Sequence, residues 1–334
     1  METSTLPLDV RPVPWTGRFD GDGAEHRRWW QAVSPYAPHL SAPQPTAPQA
    51  DGETAARTRP AVVVGFCSDE GVRRNKGRVG AAAAPAAIRA ALGPLAYHLD
   101  RSVFDAGDVV VEGEALEEGQ LRAGTVVSAL LDAGNLTVVL GGGHETAFAS
   151  YLGVAGSSAV RGTETDSGKR LGVLNLDAHF DLRDAAVPSS GTPFLQMARA
   201  EAAAGRALQY AVVGISEANN TRTLFDTAHR LGVKYLLDED CSAEAVSDFV
   251  ASFLAGIDVL YLTIDLDVLP AATAPGVSAP AAYGVSLPVI SAVCRQVAAS
   301  GKLLHLDVAE LNPEFDVDSR TAKVAARLVN TLLG

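Results

Sequence analysis

The chain has 334 residues, 47% of them apolar, enough to bury a substantial core as one large α/β domain or two smaller ones. A formal net charge of -12 excludes a nucleic-acid or anionic-membrane surface as the main interface, because both partners are polyanions. Small molecules are the expected partners. The three cysteines, Cys67, Cys241 and Cys294, lie far apart in no C-x-x-C pattern, so neither a disulfide framework nor a zinc ribbon is expected. That usage fits a reducing cytoplasm, and no apolar window reaches membrane-spanning length.

Residues 1–60 read as a leader. They carry all three tryptophans, Trp15, Trp29 and Trp30, and end in the Pro/Ala-rich text "PYAPHLSAPQPTAPQADGETAARTRP". The aromatic part is expected to dock on the body, and the Pro-rich part to be an extended connection. From residue 61 to 334 a single α/β domain is expected. Short β-branched runs alternate there with amphipathic, alanine-rich stretches. AVVVGFC (61 to 67) precedes a helical segment at 81 to 92. LTVVL (136 to 140) precedes a helix after Thr146, LGVLNL (171 to 176) one after Thr192, and YAVVGI (210 to 215) one near 220 to 231. DVLYLTI (258 to 264) and LLHLDV (303 to 308) follow further helical segments. Apolar strands separated by helices predict a mostly parallel sheet covered on both faces.

Open parallel sheets bind ligands beyond the carboxyl ends of their strands, and the polar motifs fall there. "GGGHE" follows LTVVL, "DAHFD" follows LGVLNL, "DLDVLP" follows YLTI, and "AELNP" follows HLDV. They bring together His144, Asp177, His179, Asp181, Asp265 and Asp267. Two imidazoles and four carboxylates cannot share a cleft unneutralised, because like charges raise each other's pKa until some protonate. A dinuclear divalent site resolves the conflict. Oxygen-rich ligation without sulfur favours Mn2+ over Zn2+. A lone D-x-D or GGGH is usually a solvated loop or a turn; three such motifs, each after its own apolar strand, are much more specific.

GGGH, DAHFD and DLD resemble the manganese-binding signatures of the ureohydrolase family, which includes arginase and agmatinase, over about residues 62 to 332. "GVRRNKGRVGAAAAPAAIR" (71 to 89), "SSGTPF" (189 to 194), "APGVSAPAAYG" (274 to 284), "AELNP" and the Trp-bearing leader look like the formimidoyl branch of that family. The resemblance implies a three-layer α/β/α fold and two Mn2+ per chain. Asp177 and Asp265 would bridge the ions, His144 and Asp181 would complete one, and His179 and Asp267 the other. It further implies hydrolysis of the formimino carbon of N-formimidoyl-L-glutamate by a metal-bridging hydroxide. The products would be L-glutamate and formamide, and the assembly a trimer or hexamer.

Within that implied site, Asp181 would shuttle the proton and Glu310 would orient the planar amidinium through paired hydrogen bonds. Where arginase and agmatinase carry a proton-shuttling histidine, SSGTPF offers Ser190, which puts those two activities in doubt. The substrate carboxylates need cations, and Arg78 is the first choice, with Arg183 beside it. Asn75 and Ser278 are further candidate contacts, and Arg73, Arg74 and Lys76 read as solvated loop charge. The alternatives are a guanidino-acid ureohydrolase acting on 4-guanidinobutanoate, and a non-catalytic metal- or ligand-binding protein on the same fold.

Overall fold

The computed structural model describes residues 6–37, 59–163 and 166–334; most of the Pro/Ala-rich connection, 38–58, lies outside the described residues. The strands, in chain order, begin with β1 (Ser34–Pro35), β2 (Ala61–Cys67), β3 (Val103–Val110) and β4 (Leu136–Leu140). A small antiparallel pair follows, β5 (Gly162–Thr163) with β6 (Asp166–Ser167). The remainder are β7 (Leu171–Leu176), β8 (Gln209–Ile215), β9 (Lys234–Leu237), β10 (Val259–Asp265) and β11 (Leu303–Ala309). Apart from the β5/β6 pair they form one nine-stranded sheet in the order β1-β3-β2-β4-β11-β10-β7-β8-β9. All neighbours in it run parallel.

The two-residue period of the strands sends alternate side chains to opposite faces. In β2, Ala61 and Val63 join a core built with helices Ala84–Leu92, Ala243–Ala255, Leu287–Ala299 and Arg320–Leu333. Val62, Val64 and Phe66 join the other core, built with Leu116–Asp132, Thr146–Gly156, Pro193–Ala203 and Arg222–Leu231. The result is the expected three-layer α/β/α arrangement. No helix among the described residues is long and apolar enough to cross a membrane.

Strands β3 and β9 had no clear sequence signal. β3 carries Asp105 and Asp108 inside its run, and it forms because Arg89 reaches both carboxylates while Trp15 Nε1 donates to Asp105 Oδ2 at 2.7 Å. β9 is a four-residue edge strand. The Trp-bearing N-terminal segment packs on the body: Trp29 is fully buried, stacks with Trp15, and donates to Asn330 Oδ1 in the C-terminal helix at 2.9 Å. It also adds β1 to the sheet, with Ser34 opposite Phe104.

The four adjacent central strands β4, β11, β10 and β7 end on one rim. The GGGH, AELNP, DLD and DAHFD motifs follow those ends, so sheet order converts four distant segments into one site.

Candidate metal centre and substrate cavity

The turn after β4 is pressed onto the loop after β2. Gly143 N–H donates to Ser68 O at 2.9 Å, and a Cβ on Gly142 would lie 1.7 Å from that carbonyl oxygen. Only glycine permits such an approach. The turn delivers His144, which is buried, with Nδ1 facing Asp181 Oδ2 at 3.0 Å and Asp177 Oδ2 and Asp265 Oδ2 at 3.2 Å. Its other nitrogen, Nε2, lies 3.0 Å from Thr263 Oγ1, whose hydroxyl donates to Asp307 Oδ1 at 2.5 Å. This chain places the proton on Nε2 and leaves the Nδ1 lone pair for a cation.

Across the site, His179 Nδ1 lies 3.0 Å from Asp267 Oδ2 and 3.5 Å from Asp177 Oδ1. Two ligand groups result: His144, Asp177, Asp181 and Asp265 in one, and Asp177, His179 and Asp267 in the other, with the donor atoms of each group within 4.8 Å of one another. Asp177 turns one oxygen to each group, as a bridging carboxylate must. Asp265 differs from expectation: its Oδ2 faces His144, but its Oδ1 accepts the Asp267 N–H at 2.8 Å, capping the turn Leu266–Val268. It stands in the first group, whereas Asp177, whose Oδ1 likewise accepts the His179 N–H at 2.6 Å, stands in both.

The electrostatics show what the cluster lacks. Burial would strip the proton from His144, but the surrounding carboxylates outweigh it and hold the imidazole pKa well above its ordinary value; His179 behaves alike. Burial pushes Asp177 up, yet the two imidazoles pull it below the usual carboxylate range. Asp265 is driven well above that range by burial and by Asp267 and Asp177. Four carboxylates share two imidazoles at the base of the cavity, so the donor set fits divalent cations in oxygen-rich coordination.

Asp181 and Glu310 are held at φ of +48° and +70°, a left-handed conformation that non-glycine residues rarely adopt. Glu310 is buried, accepts the His144 backbone N–H at 2.8 Å, and has its carboxyl pushed up to about 8 by burial and by neighbouring Glu145.

Above these groups opens a cavity of about 300 Å3 whose lining includes Asn75, Arg78, Arg183, Ser190 and Ser278, so every candidate substrate contact faces it. Asn75 Nδ2 donates to Ser190 Oγ at 3.2 Å, joining the two loops over the rim. Arg78 is recast: its Nε donates to Ser278 O at 3.0 Å, its Nη2 donates to Val277 O, and its guanidinium lies over the Phe315 ring. It clamps the 274–284 loop instead of reaching freely into the cavity. Arg73 and Arg74 are ion-paired through buried Glu70, not merely solvated. Sequence reasoning missed Thr263 and Asp307; the signal was a polar residue inside strands otherwise apolar on both faces.

Fold and site together define a metal-dependent α/β hydrolase of the arginase type. The arginase family model matches residues 59–334, and the chain belongs to that family. Among curated proteins, it is 57% identical to the formimidoylglutamase of Nocardia farcinica over 325 residues, 97% of each chain. It is 54% identical to that of Rhodococcus jostii, covering 98% of this chain and 96% of the relative. Among solved structures, the formimidoylglutamase of Bacillus subtilis superposes with a TM-score of 0.74 at 18% identity, covering 91% of this chain and 90% of that one. The formiminoglutamase of Trypanosoma cruzi with Mn2+ gives 0.70 at 24% identity, covering 85% and 95%. These two likenesses establish the shared fold.

Proposed function

We propose that the chain hydrolyses N-formimidoyl-L-glutamate to L-glutamate and formamide, and that it holds two Mn2+ ions per chain. The observation that carries the reading is Asp177 shared between two ligand groups on the floor of a cavity. The 57% identity to a formimidoylglutamase over 97% of both chains supports the choice of substrate. His144, Asp177, Asp181 and Asp265 would hold one ion, and His179, Asp267 and Asp177 the other. When bound, such ions supply Lewis acidity and ionise water near neutral pH.

The rest is done by the protein. Glu310 faces the cavity from a fixed, strained backbone and orients the planar N-C-N group of the substrate by hydrogen bonding. Asp181 is placed to accept a proton and return it to the departing amine, a transfer that needs a positioned acid-base group. Ser190 and Asn75 close the rim where a histidine is absent. Residues 61–334 form the catalytic unit in this proposal, with 1–60 as a leader anchored through Trp29. A trimeric or hexameric assembly belongs to the same proposal and is read by sedimentation.

Assay of Mn2+-reconstituted protein against N-formimidoyl-L-glutamate, arginine, agmatine and 4-guanidinobutanoate tests the reading. Turnover of the first should far exceed the rest. Preference for a guanidine overturns the substrate, and two bound metal equivalents without turnover of any amidine overturn the catalytic role.

A further inference from the structure

We propose that Lys76 and Arg183 form a two-cation clamp selecting an amidine with two carboxylates, Arg183 taking the carboxylate beside the reacting nitrogen and Lys76 the distal one. The inference rests on the substrate reading above, and begins from which cations at the cavity remain free. In the RRNKGR segment, Arg73 is paired with Glu70 and Glu114, and Arg74 with Glu70 and Glu117. Arg78 is anchored by Nε and Nη2 to the carbonyls of Ser278 and Val277 and lies over the Phe315 ring, so its reach is fixed. Lys76 alone of the four faces no carboxylate or carbonyl partner among the described residues, and it lines the cavity. So does Arg183, whose guanidinium likewise has no partner among the described residues.

The two cations approach from opposite loops. Lys76 follows Asn75, held at a φ of +62° by a turn in which its N–H donates to Arg73 O at 3.0 Å and the Gly77 N–H donates to Val72 O at 2.9 Å. Arg183 lies against Gly191: a Cβ there would sit 2.8 Å from Arg183 Nε and 3.3 Å from Asn75 Nδ2. The Asn75–Ser190 hydrogen bond ties the Lys76 loop to the loop that packs on Arg183. Arg183 comes two residues after the ligand Asp181, on the segment nearest the reacting end, which suits a carboxylate one carbon from the scissile nitrogen. The distal carboxylate, extended across the cavity, meets the opposite loop. A planar guanidinium at the crowded end and a flexible ammonium at the far end match the two demands.

Steady-state kinetics of the Mn2+-loaded protein test the clamp with three substrates: N-formimidoyl-glutamate, N-formimidoyl-2-aminobutanoate, which lacks the distal carboxylate, and N-formimidoyl-4-aminobutanoate, which lacks the proximal one. Lys76→Asn keeps a residue tolerant of the left-handed backbone. It should raise KM about tenfold for the first and third substrates and leave the second unchanged. Arg183→Gln should raise KM for the first two and leave the third unchanged. Lys76→Arg should restore most of the loss. Equal penalties on all three substrates, or none, overturn the clamp while the substrate reading stands. Failure of the unaltered protein to turn over N-formimidoyl-glutamate overturns both.

Discussion

His144 and Glu310, 166 positions apart in the chain, are joined by a 2.8 Å hydrogen bond in which the His144 backbone N–H donates to Glu310 Oε1. A carboxyl group lining the cavity is thereby fixed to the turn that carries His144. Glu310→Gln keeps an oxygen to accept that N–H but replaces the second carboxyl oxygen, which would accept from an amidinium, with a donor amide. We expect kcat/KM to fall by about 100-fold or more while Mn2+ binding, read by calorimetry, is retained. Loss of metal together with activity would refute this division of labour.

The ligand set predicts a stability response. Cations that bind only the folded chain stabilise it, by about 4 kcal/mol at a thousand times Kd. Mn2+ should raise Tm and a chelator should reverse the rise. Asp267→Ala should cut bound metal from two equivalents to one, whereas Asp177→Ala, at the shared carboxylate, should impair both sites. Elemental analysis after dialysis reads the count.

Thr263 relays the His144 imidazole to buried Asp307, which also accepts from Tyr261 OH at 2.5 Å. Thr263→Val preserves shape and breaks the relay. Stability should drop by about 1–3 kcal/mol, the cost of stranding a buried acceptor. Mn2+ affinity should fall by about 10- to 100-fold because the imidazole loses its orientation. An unchanged metal isotherm would show that Thr263 is only packing.

Trp29 stacks with Trp15 and reaches Asn330 far from the cavity. Trp29→Ala should cost about 3–5 kcal/mol in denaturant unfolding. The folded fraction should keep its kcat, because no lining residue moves. A kcat loss at full folding would give the leader a direct catalytic role.

Arg170 and Asp258 tie the starts of β7 and β10 together at 2.7 Å, and hydrogen bonding to Arg170 holds the Asp258 carboxyl down at about 2. The folded-state pKa lies below that of an unfolded aspartate, about 3.9. The contribution is therefore present above that value and lost as pH falls through the folded pKa. Asp258→Asn should lower Tm slightly at pH 7, and the gap should close between about pH 4 and pH 2. A gap that widened on acidification would reverse the sign.

Six strands, β2, β4, β7, β8, β10 and β11, were legible in the sequence because each is a local apolar run with β-branched side chains. So were the members of the His/Asp cluster, since D-A-H-x-D and D-x-D keep their donor atoms within a few residues of a strand end. β1, β3 and β9 were not: a two-residue strand has no pattern, Asp105 and Asp108 mask β3 until Arg89 neutralises them, and a short edge strand needs only one neighbour.

By itself, then, the sequence determined the layered parallel architecture and the six acidic and imidazole side chains that the fold gathers into one cluster, all carried by short-range patterns of polarity. The tertiary structure alone decided that β4, β11, β10 and β7 stand side by side, that Asp177 faces both imidazoles, and that Arg78 holds the carbonyls of Val277 and Ser278 while Lys76 has no such partner among the described residues. Those outcomes depend on which carbonyls and carboxylates the folded chain brings within a few ångströms of a side chain, and such partners come from segments too distant for local spacing to encode.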